Sequence, residues 1–161
     1  MYDLFLGLQK NISLPDQLPS TVTDISYMFE SAPLINDSHI SNWNTSNITT
    51  MSNTFTGASA FNQSLSNWNT ANVTNMNNMF SNASAFNQDI SGWNTSNVTD
   101  MAFMFRGAEA FSQDISNWSI DVCTSFYQFL KRAYAFSPVS DRTNLNNLLN
   151  SWSGKSSLSS K

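Results

Sequence analysis

The stretch FNQDISGWNTSNVTDM, residues 86–101, nearly repeats FNQSLSNWNTANVTNM, residues 61–76, and the 25-residue interval between them decides the fold. A looser copy, FSQDISNWSIDVCTSF, occupies residues 111–126, and an earlier copy that begins at Asn36 contains HISNWNTSNITTM. Self-similarity at a fixed period of about 20 to 50 residues is typical of repeat proteins, in which each unit buries its apolar residues against its neighbours. The repeat therefore indicates an architecture more directly than it indicates a chemistry.

The repeat places apolar residues in fixed columns, by which we mean equivalent positions of successive units. Tryptophan recurs every 25 residues, methionine follows it by eight residues in three units, and phenylalanine closes each unit. Tryptophans could stack on sugars and methionines could bind a soft metal ion, but alternation of Met with Phe in one frame favours a packed core. The expected core residues are Trp43, Trp68, Trp93, Trp118, Met51, Met76, Met101, Phe61, Phe86 and Phe111.

Each unit is expected to contain one strand and one short helix. The pattern Ile-x-x-Trp-x-Thr at residues 90–95 predicts a strand, because Trp and Thr favour extended backbone. Apolar residues three or four positions apart from residue 98 to residue 111 predict a helix. We therefore predict the α/β class. The expected fold is a short repeat solenoid, leucine-rich-repeat-like, with one strand and one short helix per 25-residue repeat, a parallel sheet and a helical C-terminal cap.

The ends of the chain depart from the repeat, as the terminal units of a stack must. The segment SDRTNLNNLLNSW spaces three leucines and a tryptophan along one helical face, which predicts a capping helix. The predicted organisation is an N-terminal cap at 1–21, four to five repeats at 22–136, the C-terminal capping helix at 137–153 and a flexible tail at 154–161.

Composition and charge exclude several function classes. Charged residues make up 11% of the chain and the formal net charge is −4, with only seven Lys and Arg residues. We therefore expect no nucleic-acid partner, because phosphate binding needs a basic surface. No run of apolar residues approaches the length of a membrane span, so we expect no membrane insertion. No signal peptide is visible in this chain, and the expected location is the cell surface, the extracellular space or a virion.

A polar face is expected on the side of each strand that points away from the core. Its amides could bind sugar hydroxyls or a protein partner, since repeat proteins commonly bind on such a face. The alternative is that stacked Asn side chains hydrogen-bond to one another along the solenoid. The candidate ligand-binding residues are Asn42, Asn44, Asn67, Asn69, Asn94, Asn117 and Ser119.

No residue pattern indicates catalysis, a metal or a cofactor. The chain has one histidine, His39, and one cysteine, Cys123, which lies in an Ile/Val column and is expected to be buried and inert. A lone histidine forms neither a catalytic triad nor a metal site. No phosphate-binding glycine loop, zinc-binding helix motif or nucleophile elbow occurs. We expect no catalytic residue, no metal, no cofactor and no enzymatic activity.

The combination of WNTSNVTDM with MF, an alanine and FNQDIS resembles a known repeat. It is similar to the BspA-type leucine-rich repeats of about 25 residues found in surface proteins of mycoplasmas and other bacteria. The resemblance covers residues 22–136, closely in three units and loosely at 111–136. It implies a surface-exposed protein associated with adhesion or antigenic variation, and it implies no catalytic residue.

Three functions follow as hypotheses. The first is a non-enzymatic, surface-exposed interaction module that takes part in adhesion or binds a receptor or glycan through the polar strand face. The second is a structural subunit of a virion or surface assembly, in which chains associate with themselves or with other subunits. The third is ice binding through the regular column of Thr45, Thr70 and Thr95, although the predicted alternation turns these threonines inward.

Overall fold

The computed structural model describes residues 13–136 and 143–153. Its named elements are a 3₁₀ helix, Ser38–Asn42, and one α-helix, α1, Thr143–Trp152. The rest of the described chain winds through stacked layers, which we call coils 1 to 5. Each coil begins at a residue that forms a single parallel bridge with the coils on either side. Coils 1 to 5 are residues 24–49, 50–74, 75–99, 100–124 and 125–136.

The predicted α/β class is wrong. Among residues 13–136 and 143–153, no strand of more than one bridged residue occurs, so there is no parallel sheet. The predicted strand at 90–95 is an extended segment between turns, and the predicted helix at 98–111 is a run of turns. The stack of 25-residue units is present, but turns rather than a strand and a helix build each unit.

Successive β-turns replace the predicted helix. In coil 2, three backbone N–H groups each donate to the carbonyl three residues earlier, at every second residue. Asn53 and Gly57 occupy the third position of the first and last of these turns, with φ of 57° and 71°. Asn and Gly are the residues that adopt this left-handed conformation at least cost. The hydrogen bonds run from Thr54 to Met51, Thr56 to Asn53 and Ala58 to Phe55.

The N–H groups between these turn donors bond to the next coil. Their bonds are 2.8–3.0 Å long between coils 2 and 3 and recur at every other junction. The backbone of each turn segment is therefore divided between its own turns and its neighbour, which leaves no N–H groups for an α-helix. The four bonds from coil 2 to coil 3 run from Met51 to Asn75, Asn53 to Asn77, Phe55 to Met79 and Gly57 to Ser81.

A continuous column of aromatic rings fills the interior. Phe55 and Phe61 stack with centroids 3.9 Å apart, and Phe80 and Phe86 repeat this contact one coil later at the same distance. All ten residues predicted for the core are buried, and no tryptophan among them is more than 4% exposed. Neither a sugar-stacking platform nor a metal site can form from side chains that solvent does not reach. Cys123 is also buried.

Each tryptophan also links two layers by a hydrogen bond. The indole N–H of Trp93 donates to the carbonyl of Leu65 in the preceding coil at 3.0 Å. Trp68 and Trp118 donate in the same way to Ile40 and Ile90. A buried indole N–H needs such a partner, so the Trp column fixes the vertical register of the stack as well as its core.

Helix α1 covers the last coil. Trp152 is 5% exposed, packs on Phe126 and Phe129, and donates its indole N–H to the carbonyl of Trp118 at 3.2 Å. Asn147 adds a hydrogen bond to Asp114 at 3.0 Å. Of the predicted capping helix at 137–153, residues 137–142 lie outside the described residues. So do 1–12 of the predicted N-terminal cap and the predicted tail at 154–161.

Candidate binding face

The predicted ligand-binding residues lie on one corner of the stack, on either side of the tryptophan column. Their six asparagines are exposed and Ser119 is half-buried. Asn44, Asn69 and Asn94 share one local structure, in which the side-chain Oδ1 accepts the backbone N–H two residues later at 3.0 Å. This is an Asx turn, and it explains why Asn follows Trp in these three units. These three Oδ1 atoms accept from their own coil, whereas the mutual-ladder hypothesis requires bonds between coils.

A shallow open groove of about 520 Å³ lies at the N-terminal end of this face. It contains three of the predicted residues, Asn42, Asn44 and Asn67. Gln17 holds its wall in place, donating to the backbone carbonyl of Asn42 at 2.9 Å and accepting from the backbone N–H of Asn44 at 3.3 Å. The complete lining is Asp16, Gln17, Ser41, Asn42, Trp43, Asn44 and Asn67.

The groove presents amides that the fold does not use. Among the residues that the structure describes, the side chains of Asn42 and Asn67 have no hydrogen-bond partner, and both are exposed. They occupy equivalent positions in successive coils. A primary amide offers two N–H donors and one carbonyl acceptor, so the pair can bind a ligand with hydroxyl groups from two layers at once.

The rest of the predicted face is used differently. Gly92 takes the place of Asn in the third unit and leaves open space there. Asn117 donates to the backbone carbonyl of Ser91 at 2.8 Å. Ser119 donates to Asp121 at 3.1 Å. The structure therefore brings Asn42, Asn44 and Asn67 together in the groove and leaves Asn69, Asn94, Asn117 and Ser119 outside its lining.

An asparagine ladder between coils does exist, but at a position that the sequence analysis missed. The Oδ1 of Asn62 accepts the backbone N–H of Asn87 at 3.0 Å and the side-chain Nε2 of Gln88 at 2.9 Å. Asn36 accepts the same two groups from the coil above it. The signal was the recurring Phe-Asn-Gln, in which Phe enters the core while Asn and Gln connect neighbouring layers.

Threonines form two columns with opposite exposure. Thr45, Thr70 and Thr95 are at most 2% exposed, and each hydroxyl donates to a backbone carbonyl of the next coil at 2.8–3.0 Å. This column cannot contact ice. A second column is exposed, and its hydroxyls donate to carbonyls of the preceding coil. The exposed column is Thr23, Thr49, Thr74, Thr99 and Thr124.

Carboxylates near the face serve the fold. The pKa of Asp37 is lowered: burial acts to raise it, but hydrogen bonds from the backbone N–H groups of His39 and Leu14 and from the His39 ring outweigh burial. The pKa of Asp89 is lowered chiefly by the backbone N–H of Ser91. Within the described residues, no three side chains of the metal-binding types come together. Nor is any described helix long and apolar enough to span a membrane.

The geometry defines a class: a repeat protein of stacked 25-residue coils with an aromatic core and a neutral polar surface. The chain belongs to the family described as Mycoplasma protein of unknown function, DUF285, which matches residues 23–143. No curated protein and no solved structure matches the chain.

Proposed function

We propose that this chain is a non-enzymatic, surface-exposed interaction module that binds a neutral glycan in the groove at Asn42, Asn44 and Asn67. The observation that supports the proposal is the pair of exposed amides, Asn42 and Asn67, which the described fold leaves without partners. Free amides beside a shallow groove suit sugar hydroxyls, which both donate and accept hydrogen bonds. A shallow site of this kind also suits a chain end more than a buried small molecule.

The electrostatics of the groove favour a neutral ligand. Its lining includes one carboxylate, Asp16, and no cation. An anionic ligand would meet Asp16 without a compensating charge, whereas a neutral sugar could donate a hydroxyl to it. Trp43 lines the groove but is 2% exposed, so polar contacts rather than ring stacking would bind the ligand.

The proposal extends to family and location. We infer that the repeat is of the BspA leucine-rich type, to which its sequence pattern is similar, and that the protein is displayed on a cell surface. Membership of a Mycoplasma repeat family supports this inference. The assembly alternative receives less support, since α1 covers the last coil and stacking of another chain on that end would displace it.

A glycan array followed by calorimetry tests the groove. We expect the wild-type chain to bind at least one class of neutral glycan, and the double variant Asn42→Ala/Asn67→Ala to bind it at least tenfold more weakly. Asn146→Ala is the matched control, because Asn146 is an exposed asparagine of α1, remote in sequence from the groove. Absence of any glycan binding, or equal binding by the double variant, would show the proposal to be wrong.

A further inference from the structure

A second surface lies on the turn side of coils 4 and 5, and we call it the basic aromatic patch. The chain contains seven Lys and Arg residues, and within the part that the structure describes every one of them lies in this patch. Tyr127 and Tyr134 are 63% and 61% exposed, the largest values among the exposed apolar and aromatic residues of the described chain. One carboxylate, Glu109, borders the cations. The patch comprises Phe103, Arg106, Tyr127, Lys131, Arg132 and Tyr134.

Contacts within the patch arrange rings and cations side by side. The rings of Phe103 and Tyr127 meet edge to face with centroids 5.1 Å apart, and the Arg106 guanidinium lies 5.7 Å from the Phe103 centroid. The Nε of Arg132 donates to the hydroxyl of Tyr134 at 3.3 Å. The exposed ring faces and the remaining N–H donors of the two arginines therefore point to solvent together.

The repeat supplies an internal comparison, because coils 2 and 3 have the same backbone without these side chains. The column of Phe103 holds asparagine in both coils, and the column of Arg132 holds Gly57, Asn82 and Gly107. The coil therefore folds with small neutral residues at these positions. The residues of coil 3 equivalent to the patch are Asn77, Asn78, Ser81, Asn82 and Ser84.

Two patch residues also adopt a backbone conformation that disfavours them. Phe103 and Arg132 have φ of 59° and 66°, in the left-handed region where a bulky side chain is uncommon. Asn or Gly at the same turn position avoids this strain, as coils 2 and 3 show. Strained residues that the fold does not need are a recognised mark of a functional surface.

We propose that the basic aromatic patch binds a sugar residue that carries one carboxylate or sulfate. Aromatic ring faces attract the C–H groups of a sugar, and an arginine fork pairs with a carboxylate or sulfate. Three cations on a chain of net charge −4 suit one or two negative charges rather than a polyanion such as nucleic acid. This site is separate from the groove and does not rest on the function proposed for it.

Binding of a sialylated trisaccharide and a sulfated disaccharide, each compared with its neutral parent, tests the proposal. We expect the wild-type chain to bind one charged sugar at least tenfold more tightly than its parent, with affinity that falls as salt rises. Tyr127→Ala and Arg106→Gln should each weaken this binding at least fivefold. The groove variant Asn42→Ala/Asn67→Ala should leave it unchanged, so that failure of one site is distinguishable from failure of the other.

Phe103→Asn separates a functional role from a structural one. It installs the residue that coils 2 and 3 use at this column, and we expect it to raise the unfolding temperature while it weakens binding of the charged sugar. Binding of charged and neutral sugars with equal affinity would overturn the proposal. So would tighter binding of a glutamate-rich peptide than of either charged sugar, or a fall in unfolding temperature for Phe103→Asn.

Discussion

Replacing Asn53 by Ala and by Gly tests whether turns or helices build the coils. Asn53 is the third residue of a turn, with φ of 57°, and its backbone N–H and C=O both form hydrogen bonds that either variant keeps. Both variants lose the same contact, the 3.4 Å hydrogen bond from the Thr56 hydroxyl to the Asn53 side chain. The difference between the two variants therefore reports on backbone conformation alone.

The two folds predict opposite signs for this difference. A left-handed conformation costs alanine about 1–2 kcal/mol, and glycine loses about 0.5–1 kcal/mol more backbone entropy than alanine on folding. In the observed turn, the Gly variant should be more stable than the Ala variant by about 0.5–1 kcal/mol. In a helix, the Ala variant would be more stable by about 1 kcal/mol.

Denaturant titration of the two variants measures the difference as a shift in the free energy of unfolding. Thermal unfolding should show the Gly variant melting higher by roughly 2–4 °C per kcal/mol for a chain of this size. Asn78, one coil later with φ of 56°, should repeat the result. An Ala variant as stable as the Gly variant at both positions would refute the turn-built coil.

Three further changes probe the core and the cap. Phe80→Ala removes a ring that is 0% exposed and stacks on three other phenylalanines, and it should lower the free energy of unfolding by about 3–5 kcal/mol in denaturant titration. Trp93→Phe removes the hydrogen bond to the Leu65 carbonyl, which still accepts the backbone N–H of Trp68; the lost bond should therefore cost only about 1 kcal/mol, apart from the volume change, in the same assay. Asp114→Asn tests pH dependence, since a backbone N–H two residues later, assisted by that serine's side chain and by α1, lowers the pKa of the carboxyl below 3.8. The carboxylate stabilises the fold above pH 3.8 and loses this effect as pH falls through the lower folded pKa, so the melting temperatures of variant and wild type should differ near neutral pH and converge in acid.

Contrary outcomes are specific to each change. A loss below about 1 kcal/mol for Phe80→Ala would mean that its site collapses around the missing ring. A loss near 4 kcal/mol for Trp93→Phe would mean that the Leu65 carbonyl is left without a partner. A melting difference for Asp114→Asn that stays constant from neutral pH into acid would rule out the lowered pKa as its cause.

The repeat and its core could be predicted from the sequence because burial follows the 25-residue period directly. The secondary structure could not, since consecutive turns also return an apolar side chain to the interior every three or four residues, as an amphipathic helix does. The discriminating signal was present in the polar residues. Asn53 and Gly57 lie four positions apart where turns need a positive φ, and Asn is a weak helix former.

The polar face was predictable as a surface but not as a site. Sequence alone could not show that Asn44 and Asn69 have the same local bond while only Asn44 borders a groove, because Gln17 of the N-terminal segment forms part of that groove. The basic aromatic patch was missed for a related reason. Arg106 and Lys131 are 25 residues apart in the chain, and only the stacking of coils makes them neighbours.

The hydrogen bonds between layers have a consequence for how the gene can vary. Coils 2, 3 and 4 span equal lengths and present the same donors and acceptors above and below. Loss or duplication of one such unit by recombination between equivalent codons would therefore yield a chain whose interior remains complete, shorter or taller by a single storey. Coil 1 has one extra residue, accommodated near its 3₁₀ helix, so recombination there would shift the register of everything that follows.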